Sequence, residues 1–217
     1  MRLFKPVLSV SENRKGVLDI DTVKGCTIGM ANYPGKGCYG LCYAYRMAHC
    51  RGIDFKNSVS RKVNKYEKKS IQQVVKKHPA KWFRIGTMGD PSHDWELTIS
   101  VCEWLGRAKI PVIVTKHWVN MADSQIDRLL KCGVIINTSI SALDTVDEIE
   151  HRLSQFHRLQ GKNVGSVLRI VSAKFGDTEW GLRKAKIQDY LFSFSPTIDN
   201  PLRIPFSDKR VMEGGTA

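Results

Sequence analysis

A chain of 217 residues with 42% hydrophobic and 25% charged residues is long enough to bury roughly 70% of the surface its unfolded form exposes, and too apolar for bulk disorder. No apolar run reaches the roughly 18 residues of a membrane span, and residues 1–10 carry Arg2 and Lys5 without the continuous apolar stretch of a secretory signal. The expectation is therefore a cytoplasmic protein with no membrane partner, in whose reducing surroundings six cysteines point to metal binding where they cluster and not to a disulfide framework.

The first strand candidate is the short run "GVLDID" at Gly16. A loop rich in Gly and Pro follows, "GCTIGMANYPGKGCYGLCYAYRMAHC", in which Cys26, Cys38 and Cys42 fall within 17 residues and Cys50 comes shortly after. Residues 51–81 then hold ten Lys or Arg against two acids, Asp54 and Glu67, a local balance of +8 within a net charge of +13. Such a segment reads as a polyanion-binding surface or as a solvated lysine-rich helix face, and charge alone leaves both open. The spacing predicts a helix over about residues 60–78, stopped by Pro79.

From there the pattern repeats. Continuous apolar, β-branched runs begin at Lys81 ("KWFRIGTMGD"), Ile110 ("IPVIVTKH"), Gly133 ("GVIINTSIS"), Gly165 ("GSVLRIVSA") and Pro201 ("PLRIPF"). Runs of this kind fit strands buried on both faces. Helices are predicted between them: one after the N-cap Asp94, one from Ser124 ending at Gly133, one after the Thr145–Glu148 capping box ending at Gly161, and one over residues 180–192. One helix between successive strands predicts βα units, a parallel sheet and right-handed crossovers. A closed eight-unit barrel takes about 250 residues, so the expected fold is α/β, a partial (β/α)5-6 TIM-like barrel over residues 1–205 with a C-terminal tail over 206–217. Ligands in such folds meet the carboxyl ends of the strands.

Three thiolates on a flexible loop favour zinc or an iron-sulfur cluster over hard cations. A structural zinc would be closed by a fourth ligand, His49 or Cys50, whereas a cluster held by three cysteines leaves one iron open. Elsewhere, Asn137, Ser139 and Ser141 alternate with Thr138 and Ile140, which sends the three to one face of a strand. Lys116 and Arg169 lie in apolar runs, and buried cations need an anionic partner, either a ligand or an ion pair with Asp90 or Asp144. The segment Thr87, Met88, Gly89, Asp90 reads by itself as an Asp-Pro turn that starts the next helix. Cys102 and Cys132, isolated in helical patterns, read as small buried apolar residues.

The cysteine loop ending "CYGLCYAYRMA", together with "RIGTMGDPSHD", "VIVTKHW", "NTSISALD" and "EHRLSQFHRL…SVLRIVSA", resembles the radical S-adenosylmethionine (SAM) superfamily, especially its branch related to spore photoproduct lyase, over about residues 17–174. The spacing here is C-x11-C-x3-C with Leu41 before the last cysteine and Tyr43 after it, where the common loop is C-x3-C-x2-C with an aromatic before the last cysteine. The resemblance implies an enzyme with a four-iron (4Fe-4S) cluster on Cys26, Cys38 and Cys42. It implies SAM held by Met88, Gly89 and Asp90 at its amino group and by Ser139 and Ser141 at ribose or carboxylate, with Asn137 on the same cofactor-facing side; of the two cations at the cofactor site, Arg169 suits the SAM carboxylate and Lys116 a substrate phosphate. It also implies reductive cleavage of SAM, hydrogen abstraction from a substrate, an electron donor such as flavodoxin or ferredoxin, and, with the basic segment, DNA or RNA as a substrate class. The alternative from another class is a non-catalytic nucleic-acid-binding protein with a structural zinc site.

Overall fold

Four of the five β-branched runs fall among the described residues, and each forms a strand. The computed structural model describes residues 1–31, 42–171, 173–194 and 213–214. In chain order its elements are β1 (Ser11–Glu12), β2 (Leu18–Asp19), β3 (Val23–Lys24), α1 (Thr27–Ala31), α2 (Tyr43–Cys50), β4 (Val59–Ser60) and α3 (Lys65–Lys77). The regular part follows as β5 (Trp82–Ile85), α4 (Trp95–Leu105), β6 (Ile110–Thr115), α5 (Asp123–Lys131), β7 (Ile135–Ile140), α6 (Val146–Gly161) and β8 (Gly165–Ile170), then β9 (Ala173–Lys174), α7 (Glu179–Phe194) and β10 (Glu213–Gly214). The strand expected at Pro201 lies outside the described residues. Within the segment expected as a tail, β10 pairs antiparallel with β9.

The fold is mixed α/β. Its main sheet has six strands in the order β1-β2-β5-β6-β7-β8, antiparallel only between β1 and β2 and parallel throughout the rest. The order never reverses, so every new strand is added to the same side of the last. Helix limits follow their capping chemistry. Asn64 accepts from the backbone N–H groups of Tyr66 and Glu67 to start α3, while the Glu67 carboxylate accepts from Asn64 N–H. Asp94 accepts from Leu97 N–H at 3.0 Å to start α4, and the Thr145–Glu148 box starts α6. The helix expected from Ser124 begins one residue earlier, with the Gln125 side chain accepting from Ala122 N–H at 2.9 Å. Among the described residues no helix is long and apolar enough to cross a membrane.

Register divides the sheet into two unlike faces. Ile85 pairs with Ile113 and Ile113 with Ile136, and farther along Ile140 pairs with Ile170. This face packs under the helices: Ile71 and Val75 of α3, Ile99 and Leu105 of α4 and Ile126 and Leu129 of α5 join one core with Phe83, Ile85, Ile113 and Ile136. Phe156 of α6 and Leu191 of α7 join a second core with Ile140, Leu168 and Ile170. The opposite face carries Asp19 beside Arg84, Val114 beside Asn137 and Ser139 beside Arg169. Continuous apolar runs had pointed to burial on both faces. Instead one face is closed by helices and the other opens to a cavity, so Val112 and Val114 in β6 are only half-buried between the buried Ile113 and Thr115.

Candidate functional site

The open face leads to a cleft of about 130 Å³ at the carboxyl ends of β5 to β8. Cys26 and Cys42 line one side, and Lys116, Ser139 and Arg169 line it from three successive strand ends. Cys38 lies outside the described residues. Among those described, no three His, Cys, Asp or Glu side chains converge as a complete metal site, and the five described cysteines form no disulfide with one another.

The residues next to Cys26 and Cys42 are both tied to one turn of backbone after β5. The Met88 carbonyl accepts from Gly25 N–H at 2.9 Å, holding the residue before Cys26, while the Tyr43 hydroxyl donates to the Thr87 carbonyl, holding the residue after Cys42. Burial pushes the Tyr43 phenol up, with Asp21 adding to the rise, so it stays protonated and keeps its donor role. The turn is held from beneath by Asp21, whose carboxylate accepts from the consecutive N–H groups of Gly86, Thr87 and Met88 at 3.2, 2.6 and 3.2 Å. Desolvation raises the Asp21 pKa, while its hydrogen bonds to Thr87 work against the rise.

Gly89 meets a backbone demand. A Cβ there would come within 2.6 Å of the Val23 carbonyl and 2.7 Å of the Gly25 carbonyl, so glycine permits the close approach that carries Cys26 past the turn. Asp90 lines the cleft, but its carboxylate accepts from Ser92 N–H at 2.9 Å, the Thr115 hydroxyl at 2.7 Å and Lys116 N–H at 2.7 Å. That is the turn-forming role, extended into a clamp between the ends of β5 and β6. The carbonyls of Thr87 and Met88 also have donors within the protein, the Tyr43 hydroxyl and Gly25 N–H.

Lys116 takes the ion-pair course. Its Nζ lies 2.7 Å from Asp144, which also pairs with Arg152 at 2.6 Å. The Arg152 guanidinium in turn sits 4.6 Å from the centre of the Trp118 ring. Ser139 and Arg169 are side by side and reach the cleft together, whereas Ser141 is buried and its hydroxyl accepts from Leu143 N–H at 3.2 Å. Asn137 is on the same face as Ser139, nearer the strand's amino end, and is not among the cleft-lining residues. His49 and Cys50 are exposed at the far end of α2, about two turns and about 10 Å from Cys42 at its start. Neither suits a ligand set that includes Cys42.

Against Cys26 stands a residue that the sequence did not single out. His93, in the 3-10 turn Pro91–Asp94, places Nε2 3.5 Å from the Cys26 sulfur. Its pKa is lowered by burial, with Asp90 acting in the opposite direction. No protein-family model, curated protein or solved structure matches this chain. The residues themselves thus carry the functional argument.

The strand end next to the cleft is also strained. His117 has a positive φ of 51°, uncommon for a residue with a side chain, and is fully buried, with Nε2 2.9 Å from the Thr138 hydroxyl. Desolvation lowers its pKa to about 4. The unfolded chain takes up a proton near pH ~6.5 that the folded chain refuses, so stability is expected to fall as pH drops from about 6.5 to about 4, by on the order of 3 kcal/mol. Urea unfolding across that range checks this, and a His117→Gln chain should show a flatter profile.

Proposed function

We propose that this chain is a radical SAM enzyme whose cleft seats a 4Fe-4S cluster on Cys26, Cys38 and Cys42, with SAM beside it against Ser139 and Arg169. The observation that carries the reading is that Cys26 and Cys42 line one cleft with a cation and a hydroxyl from the ends of successive parallel strands. We also infer that the sheet is an arc of a (β/α) barrel. A doubly wound sheet reverses its strand order at a switch point, whereas this sheet adds strands in one direction and keeps α3 to α7 on one face, as a barrel wall does.

The donor set fits the group. Thiolates are the usual ligands of iron-sulfur clusters, Cys26 is buried, and the apolar cluster of Phe4, Met30, Ala44 and Phe55 around it limits water access, which tunes such a centre. When bound, the cluster supplies one electron and an open coordination position. The protein's own part is to orient the cofactor: Arg169 offers a cation for a carboxylate, and Ser139 offers a hydroxyl to the same region. A donor such as flavodoxin or ferredoxin would deliver the electron. Anaerobic reconstitution followed by SAM and dithionite tests the reading. The expected product is 5′-deoxyadenosine, and a reconstituted chain that releases none overturns it.

One observation favours a second reading. Sulfur and nitrogen ligands on a tetrahedral zinc lie roughly 3.5 Å apart, which is the separation between Cys26 and His93. A structural zinc that takes Cys26 and His93 together with Cys38, which lies outside the described residues, would belong to the alternative reading, a non-catalytic nucleic-acid-binding protein. Purified without oxygen, that protein would be colourless with one zinc, where the enzyme would be brown with iron and sulfide.

The basic segment bears on the substrate. Arg61 is buried and donates to the Lys5 carbonyl, Lys68 sits over Trp104, and α3 packs on the helix-covered face, away from the cleft. The exposed Arg46 and Arg51 are on or just after α2, whose first residues, Tyr43 and Ala44, line the cleft. With about three or four phosphate contacts, affinity for single-stranded DNA or RNA should fall about 30-fold between 50 and 200 mM salt, as estimated from counterion release. A flat salt dependence removes nucleic acid as the substrate class.

A further inference from the structure

We propose that His93 acts on the metal centre through the Cys26 sulfur, donating its Nε2–H to it and so setting how readily the bound cluster is reduced; this rests on the iron-sulfur reading above. The contact is 3.5 Å, a normal length for a donor facing sulfur. A metal-bound cysteine carries no proton, so only the imidazole can donate, which fixes the tautomer with hydrogen on Nε2. Hydrogen bonds to cluster sulfurs withdraw charge and favour the reduced, more negative state.

Both partners sit on clamped backbone, so the contact is built into the fold. Cys26 follows Gly25, which is bonded to Met88 and bridged to Gly89. His93 rides on a turn whose start is fixed by Asp90 through Ser92, Thr115 and Lys116. The same turn is fixed at Pro91, whose carbonyl accepts from the Thr98 hydroxyl at 3.2 Å, and Thr98 is 2.7 Å from Thr22. The segment "GTMGDPSHD" thereby gains a purpose that its resemblance to a SAM-gripping loop did not disclose. Its glycine and aspartate build the platform that carries an imidazole to a thiolate. His93 is a positioning residue here.

The test compares the full wild-type chain with His93→Gln and His93→Phe, each reconstituted anaerobically. Iron and sulfide are assayed, and the midpoint potential is measured by EPR-monitored titration without SAM. All three are expected to hold equal iron and sulfide, with the potential falling from wild type to Gln to Phe as the donor weakens and disappears. Equal potentials in the three overturn the proposal and leave His93 as packing. Parallel loss of iron in both variants also overturns it, since the imidazole would then be a ligand. A wild-type chain that takes zinc and no iron removes the reading beneath it, an outcome visible without either variant.

Discussion

A Cys42→Ala chain, reconstituted anaerobically, is expected to hold far less iron than the wild type and to release 5′-deoxyadenosine at least on the order of 100-fold more slowly. The scale follows from metal sites in general, where loss of a group that merely supports a ligand costs about 10- to 100-fold, so loss of a ligand should cost no less. The position makes the test sharp. Cys42 caps the start of α2, and the residue after it, Tyr43, is tied to Thr87, so alanine removes the sulfur while this tether stays in place. Cys50 is the matched control, exposed on the same helix about two turns away. Cys50→Ala should keep full iron and full activity. Cys102 is the other control: it is fully buried in the core under the helices, so its alanine variant should lose stability and keep its iron. Full iron in Cys42→Ala, or equal loss in the Cys42 and Cys50 variants, would sink the proposed ligand set.

The regular part of the fold was legible because its signals are local. Asn64, Asp94 and the Thr145–Glu148 pair each satisfy backbone donors within three residues, so the sequence window that contains a cap also contains its reason. The strand runs at Lys81, Ile110, Gly133 and Gly165 were likewise visible, but their second face was misread. Val112 and Val114 look like core residues in a string of letters, and only the register places them on the open side of the sheet. The site was legible in part. Cys26, Cys42, Lys116, Ser139 and Arg169 do reach one cleft, because they fall at strand ends or beside residues tied to the turn after β5. What the sequence concealed are the partners across long separations: Asp21 beneath Gly86 to Met88, Tyr43 on Thr87, and His93 against Cys26, each more than 40 residues apart. "LDID" and "SHD" carry no spacing signal of their own. A reader could have found Asp21 only by asking what acceptor satisfies the N–H groups of a glycine-containing turn at a strand end.

Substituting Asp144 by asparagine should cost about 3–5 kcal/mol and lower Tm by on the order of 10 °C. The reason is an excess of buried cations. Asp144 is fully buried, and it faces Lys116 at 2.7 Å and Arg152 at 2.6 Å, whose side chains are 11% and 1% exposed. Glu148 lies 4.0 Å from Arg152 and cannot stand in for the lost carboxylate at both cations. Asparagine keeps one acceptor oxygen but turns an N–H₂ group toward a positive charge, and Ser141 N–H, which donates to the carboxylate at 2.8 Å, competes for that oxygen. Burial by itself would raise the Asp144 pKa, yet Arg152 and Lys116 outweigh it and hold the carboxyl below its ordinary value. Its contribution to stability is therefore present above pH ~3.9 and is lost only as pH falls through the depressed folded value, below the window assigned to His117. The Asn variant should lose this lowest acid step while keeping the one between about pH 6.5 and about 4. Lys116→Met is the informative companion. It removes one cation and leaves Asp144 paired with Arg152, so it should be milder, and it still clears an ammonium from the cleft wall. A Tm within about 2 °C of wild type for Asp144→Asn would mean the three charges are solvated and do not fasten β6, the β7 end and α6 together as their distances imply.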